Sequence, residues 1–199
     1  MKIAFLGDSL TEGWPGAAYL PLLVRRLPRH ELLNHGRAGD SVADLLPRLR
    51  HGGLQKVDLA FVWVGANDAV NGPRDGSQEA GGWSWGERLA HLRADYAELL
   101  EWAAARAELL VCVPPLILDG GGSAWEARAA EIGGVMAELA AARRACRVLD
   151  LRPAFAAMPR GAGPLTTDSV HLTAAGAEVV AAEFARVIDA WVAKDGESG

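Results

Sequence analysis

The sequence has only two cysteines, Cys112 and Cys146, in 199 residues. That is too few for a disulfide framework or a cysteine-based zinc cluster, so both read as buried, reduced thiols. No uninterrupted apolar stretch approaches the ~20 residues that a membrane-spanning helix needs. The first apolar run, Ile3-Ala4-Phe5-Leu6, meets Gly7-Asp8 and is too short for a signal-peptide core, so a cytoplasmic location is expected. A basic excess is missing too. The 20 Lys and Arg stand against 25 Asp and Glu, a net charge of −5, which argues against a nucleic-acid partner. The low apolar content of a disordered chain is also missing, since 50% of the residues are hydrophobic. At this length one domain is expected, over 1–193, with a frayed tail at 194–199.

What the sequence does have is alternation. Five short β-prone runs recur at Ile3 to Leu6, Glu31 to Asn34, Leu59 to Val64, Leu109 to Val113 and Arg147 to Leu151. Most are continuously apolar, which suits strands buried on both faces of a parallel sheet. Helical stripes lie between them. Leu89, Leu92, Tyr96, Leu99, Leu100 and Ala103 recur at helical spacing. So do Trp125, Ala129, Ile132, Met136 and Leu139, opened by a capping box at Ser123-Ala124-Trp125-Glu126. The last stripe holds Val180, Phe184, Val187, Ile188 and Trp191, with Thr173 as N-cap. Strand alternating with helix predicts a three-layer α/β/α domain around a mainly parallel, five-stranded sheet. Ligands of such sheets bind beyond the C-terminal strand ends. Two Gly-rich stretches, 71–86 and 118–122, read as loops.

The residues after the strands are therefore the ones to inspect. Gly7-Asp8-Ser9-Leu10 follows the first strand. A serine hydroxyl is a poor nucleophile unless a base lies within hydrogen-bond reach. Near the other end stands Asp168-Ser169-Val170-His171. An Asp three residues before a His can hold the Nδ1 proton and leave Nε2 free to accept one from serine. Asn34-His35-Gly36-Arg37-Ala38-Gly39-Asp40 follows the second strand and Gly65-Ala66-Asn67-Asp68 the third. A glycine backbone N–H and an Asn side chain are both donors suited to a developing oxyanion, and losing one such donor costs about 10²–10³ in turnover.

In these blocks the sequence resembles the GDSL, or SGNH, hydrolases, a group of esterases, lipases, thioesterases and sugar deacetylases. The matching positions are Gly7-Asp8-Ser9-Leu10, then Asn34, Gly36, Gly39 and Asp40, then Gly65, Asn67 and Asp68, then Asp168 and His171. Ser41 stands where the family often has threonine. The resemblance implies a flavodoxin-like sheet of order 2-1-3-4-5. It implies Ser9 as nucleophile, His171 as general base and Asp168 as its orienting acid. The oxyanion hole would be the backbone of Ser9 and Gly39 with the side chain of Asn67. No metal or organic cofactor is implied, and the partner is a small-molecule ester. The leading expectation is hydrolysis of short acyl or acetyl esters through an acyl-enzyme. Carbohydrate O-deacetylation, lysophospholipid or thioester cleavage and acyl transfer use the same triad. A non-catalytic module binding phosphate at Gly7 to Gly13 is the alternative from another class.

The remaining residues have plainer readings. Asp8 and Asp68 read as structural. His30, His35, His51 and His91 read as surface residues, His35 beside the oxyanion segment. Trp83 and Trp85 read equally as a lid over substrate or as cover for an apolar patch, and Trp14-Pro15 as pocket lining. Arg25, Arg26, Arg48 and Arg50 read as solvated helix faces.

Overall fold

Five parallel strands pair in the order β2-β1-β3-β4-β5. They are β1 (Lys2–Gly7), β2 (Glu31–Gly36), β3 (Val57–Trp63), β4 (Ala107–Val113) and β5 (Cys146–Val148). This computed structural model describes residues 1–71, 82–118, 120–159 and 163–196. Within the expected loops and tail, 72–81, 119 and 197–199 lie outside the described residues. The helices are α1 (Ser9–Glu12), α2 (Leu20–Arg26), α3 (Val42–Gly52), α4 (Ala66–Val70), α5 (Trp85–Ala104), α6 (Ala124–Ala141), α7 (Arg152–Ala156) and α8 (Ala174–Gly196).

The continuous apolar runs are explained by burial on both faces. Alternate side chains of β1 serve different cores. Ala4 and Leu6 pack with Leu45 and Leu49 of α3, Tyr96 and Leu99 of α5, and Ile132 and Met136 of α6. Ile3 and Phe5 pack with Leu23 of α2 and Phe184 and Ile188 of α8. On that second face Phe184 stacks on Phe61 at 4.5 Å and Phe61 on Phe5 at 5.2 Å. Each such large side chain contributes roughly 1.5–3 kcal/mol through burial, so the two helical layers are held independently. The sheet with a layer on each side is the expected α/β/α architecture.

Caps mark the helix starts. Ser84 accepts from the Glu87 N–H and Ser123 from the Glu126 N–H. Thr173 Oγ1 accepts from the Gly176 N–H at 3.2 Å, the expected cap of α8. That helix runs on through Gly196, past the start of the expected tail. β5 is shorter than the run Arg147 to Leu151 suggested. Asp150 there turns the chain, taking the Arg152 N–H on Oδ1 at 2.9 Å at the start of α7. Leu149 and Leu151 are buried all the same, in the α8-side core. Cys112 and Cys146 are buried free thiols with Sγ atoms 4.0 Å apart. Among the described residues no helix is long and apolar enough to cross a membrane.

The strand order puts a switch point between β1 and β3. The chain leaves β1 for β2 on one side and later crosses to β3 on the other. The crevice beyond the C-terminal ends of β1 and β3 is where such sheets bind ligands. Ser9 follows β1 and Asn67 follows β3.

Candidate active site

Ser9 is the first residue of α1 and is 5% exposed. Its tight exit from β1 depends on Gly7. A Cβ there would lie 2.2 Å from the Trp63 carbonyl oxygen and 2.4 Å from Thr11 Oγ1, so only glycine fits. Asp8 caps the turn, with Oδ1 accepting the Leu10 N–H at 3.0 Å. Gly13, in the left-handed conformation, closes α1 by donating its N–H to the Ser9 carbonyl.

His171 reaches Ser9 from a loop at the far end of the sequence. Its Nε2 lies 3.1 Å from Ser9 Oγ. Its Nδ1 lies 2.7 Å from Asp168 Oδ2, and its backbone N–H donates to Asp168 Oδ1 at 2.8 Å. The Val170 N–H donates to the same Oδ1 at 3.2 Å. Both oxygens of Asp168 therefore serve to fix one histidine. Burial works to raise the Asp168 pKa, but the hydrogen bonds from His171 and Val170 outweigh it and hold the carboxyl below its ordinary value. Ser169, between the two, is the one non-glycine residue with positive φ among the described residues (φ 76°), and this kink folds His171 back over Asp168. The loop is pinned from two sides. The Leu118 N–H donates to the Ser169 carbonyl at 2.8 Å and the Ala17 N–H to the Leu172 carbonyl at 2.8 Å. Trp14 begins the latter loop and is 71% exposed.

Gly39 and Asn67 are brought together through Asp40. Asn67 Nδ2 donates to the Asp40 carbonyl at 2.9 Å, and its second hydrogen has no partner among the described residues. Gly39 has φ of +85° and open space where a Cβ would stand. Its loop is held from below by Glu12, whose Oε2 accepts the Ala38 N–H at 2.6 Å. The loop is also tied to β1, since the Arg37 N–H donates to the Gly7 carbonyl at 3.1 Å.

Two carboxylates adjoin these residues in sequence, Asp8 beside Ser9 and Asp68 beside Asn67. Asp8 is 1% exposed and its Oδ2 has no hydrogen-bond partner among the described residues. Burial pushes its pKa up to about 7, with Asp68 and Asp40 adding and the Leu10 N–H opposing. Asp68 is pushed up to about 6 by burial, against the bond that its Oδ2 accepts from the Val42 N–H at 3.1 Å. Asp8 thus caps α1, while Asp68 accepts a first-turn N–H of α3, whose N-cap is Ser41.

Two expectations need correction. Arg48 is not on a solvated face. Its side chain is 22% exposed and its Nε lies 2.5 Å from Asp40 Oδ2. Its position beside Leu45 and Leu49 of the buried α3 stripe was the available signal. Arg25, Arg26 and Arg50 are exposed as expected, the last two paired with Glu178 and Glu98. His30 and His35 are half-buried rather than on the surface, because β2 and the turn before it pack against the rest of the fold. Burial, then the Arg48 charge, lowers the His35 pKa.

A cleft of about 490 Å³ opens beside Asp68. Trp83, Trp85, Arg88, His91 and Asn71 line it. Trp83, 59% exposed, stacks on His91 at 4.1 Å. Trp85 is fixed by its Nε1 bond to Glu131 at 3.0 Å and by the Arg128 guanidinium 5.3 Å from its ring. Among the described residues no cluster of three or more His, Cys, Asp or Glu could hold a metal ion.

The fold is thus a flavodoxin-like parallel α/β sheet, with Ser9, His171 and Asp168 brought together beyond its switch point. The model of the GDSL-like Lipase/Acylhydrolase family matches residues 5–179, and the chain belongs to that family. Solved structures share the fold. Axe2, an acetylxylan esterase from Geobacillus stearothermophilus, is 23% identical with a TM-score of 0.74, over 93% of this chain and 92% of that one. The lipase/acylhydrolase from Enterococcus faecalis is 24% identical with a TM-score of 0.72, over 94% of each chain. The acetyl xylan esterase AlAXEase is 21% identical with a TM-score of 0.76, over 94% of this chain and 100% of that one. No curated protein matches the sequence at a significant level.

Proposed function

We propose that this protein is a serine esterase for small acyl groups, working through an acyl-enzyme on Ser9. The observation that carries the reading is the continuous line Ser9 Oγ to His171 Nε2 at 3.1 Å and His171 Nδ1 to Asp168 Oδ2 at 2.7 Å. Ser9 Oγ attacks the ester carbonyl while His171 Nε2 takes its proton. Asp168 holds the Nδ1 hydrogen, fixes the tautomer and stabilises the imidazolium. The tetrahedral oxyanion rests on the N–H groups of Ser9 and Gly39 and on the free hydrogen of Asn67 Nδ2. Collapse expels the alcohol, which receives the proton from His171. Water then attacks the acyl-enzyme by the same route.

The test is hydrolysis of p-nitrophenyl esters from acetyl to palmitoyl by wild type and Ser9→Ala. Wild type should favour the short chains, and Ser9→Ala should lose at least ~10³-fold in kcat. Activity that survives in Ser9→Ala would sink the reading.

The cleft beside Asp68 supports a sharper version, removal of acetyl groups from a sugar. An exposed indole flanked by Asp, Asn and Arg groups suits a sugar ring, which offers an apolar face to stack and a polar rim to bond. Two of the structures with this fold are acetylxylan esterases. An acetylated xylooligosaccharide should then be a better substrate than p-nitrophenyl acetate. The reverse order would remove this version and leave the general esterase.

A further inference from the structure

We propose that Arg48 is a positioning residue for acyl transfer, its guanidinium locking the Gly39–Asn67 donor pair against the strand that delivers Ser9. This rests on the esterase reading above.

Three bonds made by one side chain carry the inference. Arg48 Nε meets Asp40 Oδ2 at 2.5 Å, and one of its terminal nitrogens donates to the Gly7 carbonyl at 3.2 Å and the His35 carbonyl at 2.9 Å. Each acceptor belongs to a different part of the site. Gly7 ends β1, two residues before Ser9. His35 lies near the end of β2, where the chain enters the Gly39 loop. Asp40 follows Gly39, and its carbonyl receives Asn67 Nδ2 at 2.9 Å. The guanidinium therefore links the nucleophile strand directly to the loop that carries one oxyanion donor and orients the other.

The residue type matters. Only a planar fork with several fixed donors can bond a carboxylate and two carbonyls at once. A lysine ammonium can keep the charge pair with Asp40 but not the geometry. The side chains of Arg48 and Asp40 are 22% and 7% exposed, so the pair is largely shielded from water, and three bonds hold the guanidinium rigid. Such rigidity is what an oxyanion site requires, because the donors must already point to the oxygen before charge develops on it.

The experiment compares wild type, Arg48→Lys, Arg48→Ala and Arg50→Ala, the last removing an exposed arginine of the same helix. Steady-state kcat and KM for p-nitrophenyl acetate are measured with the binding constant of phenylboronic acid, which forms a tetrahedral adduct with a reactive serine. Turnover is expressed per folded molecule, from the folded fraction seen by circular dichroism. Arg48→Lys should lower kcat roughly 10–100-fold, the usual loss when a supporting partner is removed, with little change in KM. Boronate affinity should fall in proportion to kcat/KM, because both report the tetrahedral state. Added ethylguanidinium should restore part of the turnover of Arg48→Ala, and Arg50→Ala should match wild type.

Wild-type turnover per folded Arg48→Lys molecule would overturn the proposal. So would a defect confined to KM with boronate binding intact. If Ser9→Ala is inactive while Arg48→Lys is normal, only this proposal falls. If wild type does not cleave esters, or Ser9→Ala still does, the esterase reading falls and this one with it.

Discussion

Asn67 donates through Nδ2 to the backbone carbonyl of Asp40, 27 residues away in sequence, at 2.9 Å. This one bond ties the Asn67 amide to the loop that carries Gly39. An aspartate at the same position has two acceptors and would repel the Asp40 carbonyl. An alanine would remove both donors without adding charge. Asn67→Ala is expected to lower kcat about 10²–10³-fold with little change in melting temperature. Asn67→Asp should be at least as inactive and less stable. Steady-state kinetics with thermal melts checks both, and an Asn67→Ala variant of normal kcat would remove Asn67 from the oxyanion site.

A prediction of stability follows from the turn before Ser9. A methyl group on residue 7 would meet the Trp63 carbonyl oxygen at 2.2 Å, and backbone atoms of a central strand cannot give way. Gly7→Ala should therefore unfold at a markedly lower temperature or fail to fold, by overpacking that costs about 1–3 kcal/mol or more. A contrasting substitution is Gly52→Ala, in α3, where a Cβ meets nothing within 4 Å. It should be neutral or mildly stabilising, since alanine is the better helix former. Calorimetry of the two variants reads the difference directly.

The parts of the fold that were legible in the sequence were those set by local pattern. Ile3 to Leu6 and Leu109 to Val113 are apolar throughout because they are buried on two faces, and that pattern survives without tertiary knowledge. The Asp168 and His171 pair was legible because its partners are three residues apart. The Ser9 to His171 contact spans 162 residues, and it was expected from the chemistry of the two groups and from the family resemblance rather than from any local pattern. Arg48 was misread for the complementary reason. Its acceptors Gly7 and His35 lie 41 and 13 residues away, and the one local hint that it faces inward is its place beside Leu45 and Leu49 of the buried α3 stripe. β5 was read too long because Leu149 and Leu151 are buried like strand residues but serve the core next to α7.

The tryptophan cleft separates a general esterase from one built for a sugar. Trp83 stacks on His91 and is exposed, so its loss should cost little stability. If the cleft holds the alcohol part of the substrate, Trp83→Ala should lower kcat/KM for an acetylated xylooligosaccharide by roughly 10-fold, about 1.4 kcal/mol. It should leave p-nitrophenyl acetate hydrolysis unchanged, because that small ester does not extend beyond the reacting centre. Equal effects on both substrates would place Trp83 outside substrate recognition.

The pH dependence of stability should be dominated by Asp8. Its carboxyl is buried and its pKa is raised from 3.8 to about 7. In the unfolded chain it ionises near its ordinary value, so between those limits the native state holds a proton that the unfolded state has lost. Stability must then fall as pH rises through this window. The burden is absent at the acid end and complete above about 7, where the shift corresponds to about 4 kcal/mol at most. Asp68, raised to about 6, adds a slope of the same sign. Asp8→Asn keeps an oxygen to accept the Leu10 N–H but cannot ionise. Thermal melts from pH 5 to 9 should show Asp8→Asn more stable than wild type at the alkaline end and the gap closing toward the acid end. A gap that is constant with pH, or that widens in acid, would mean that Asp8 is ionised in the native state throughout.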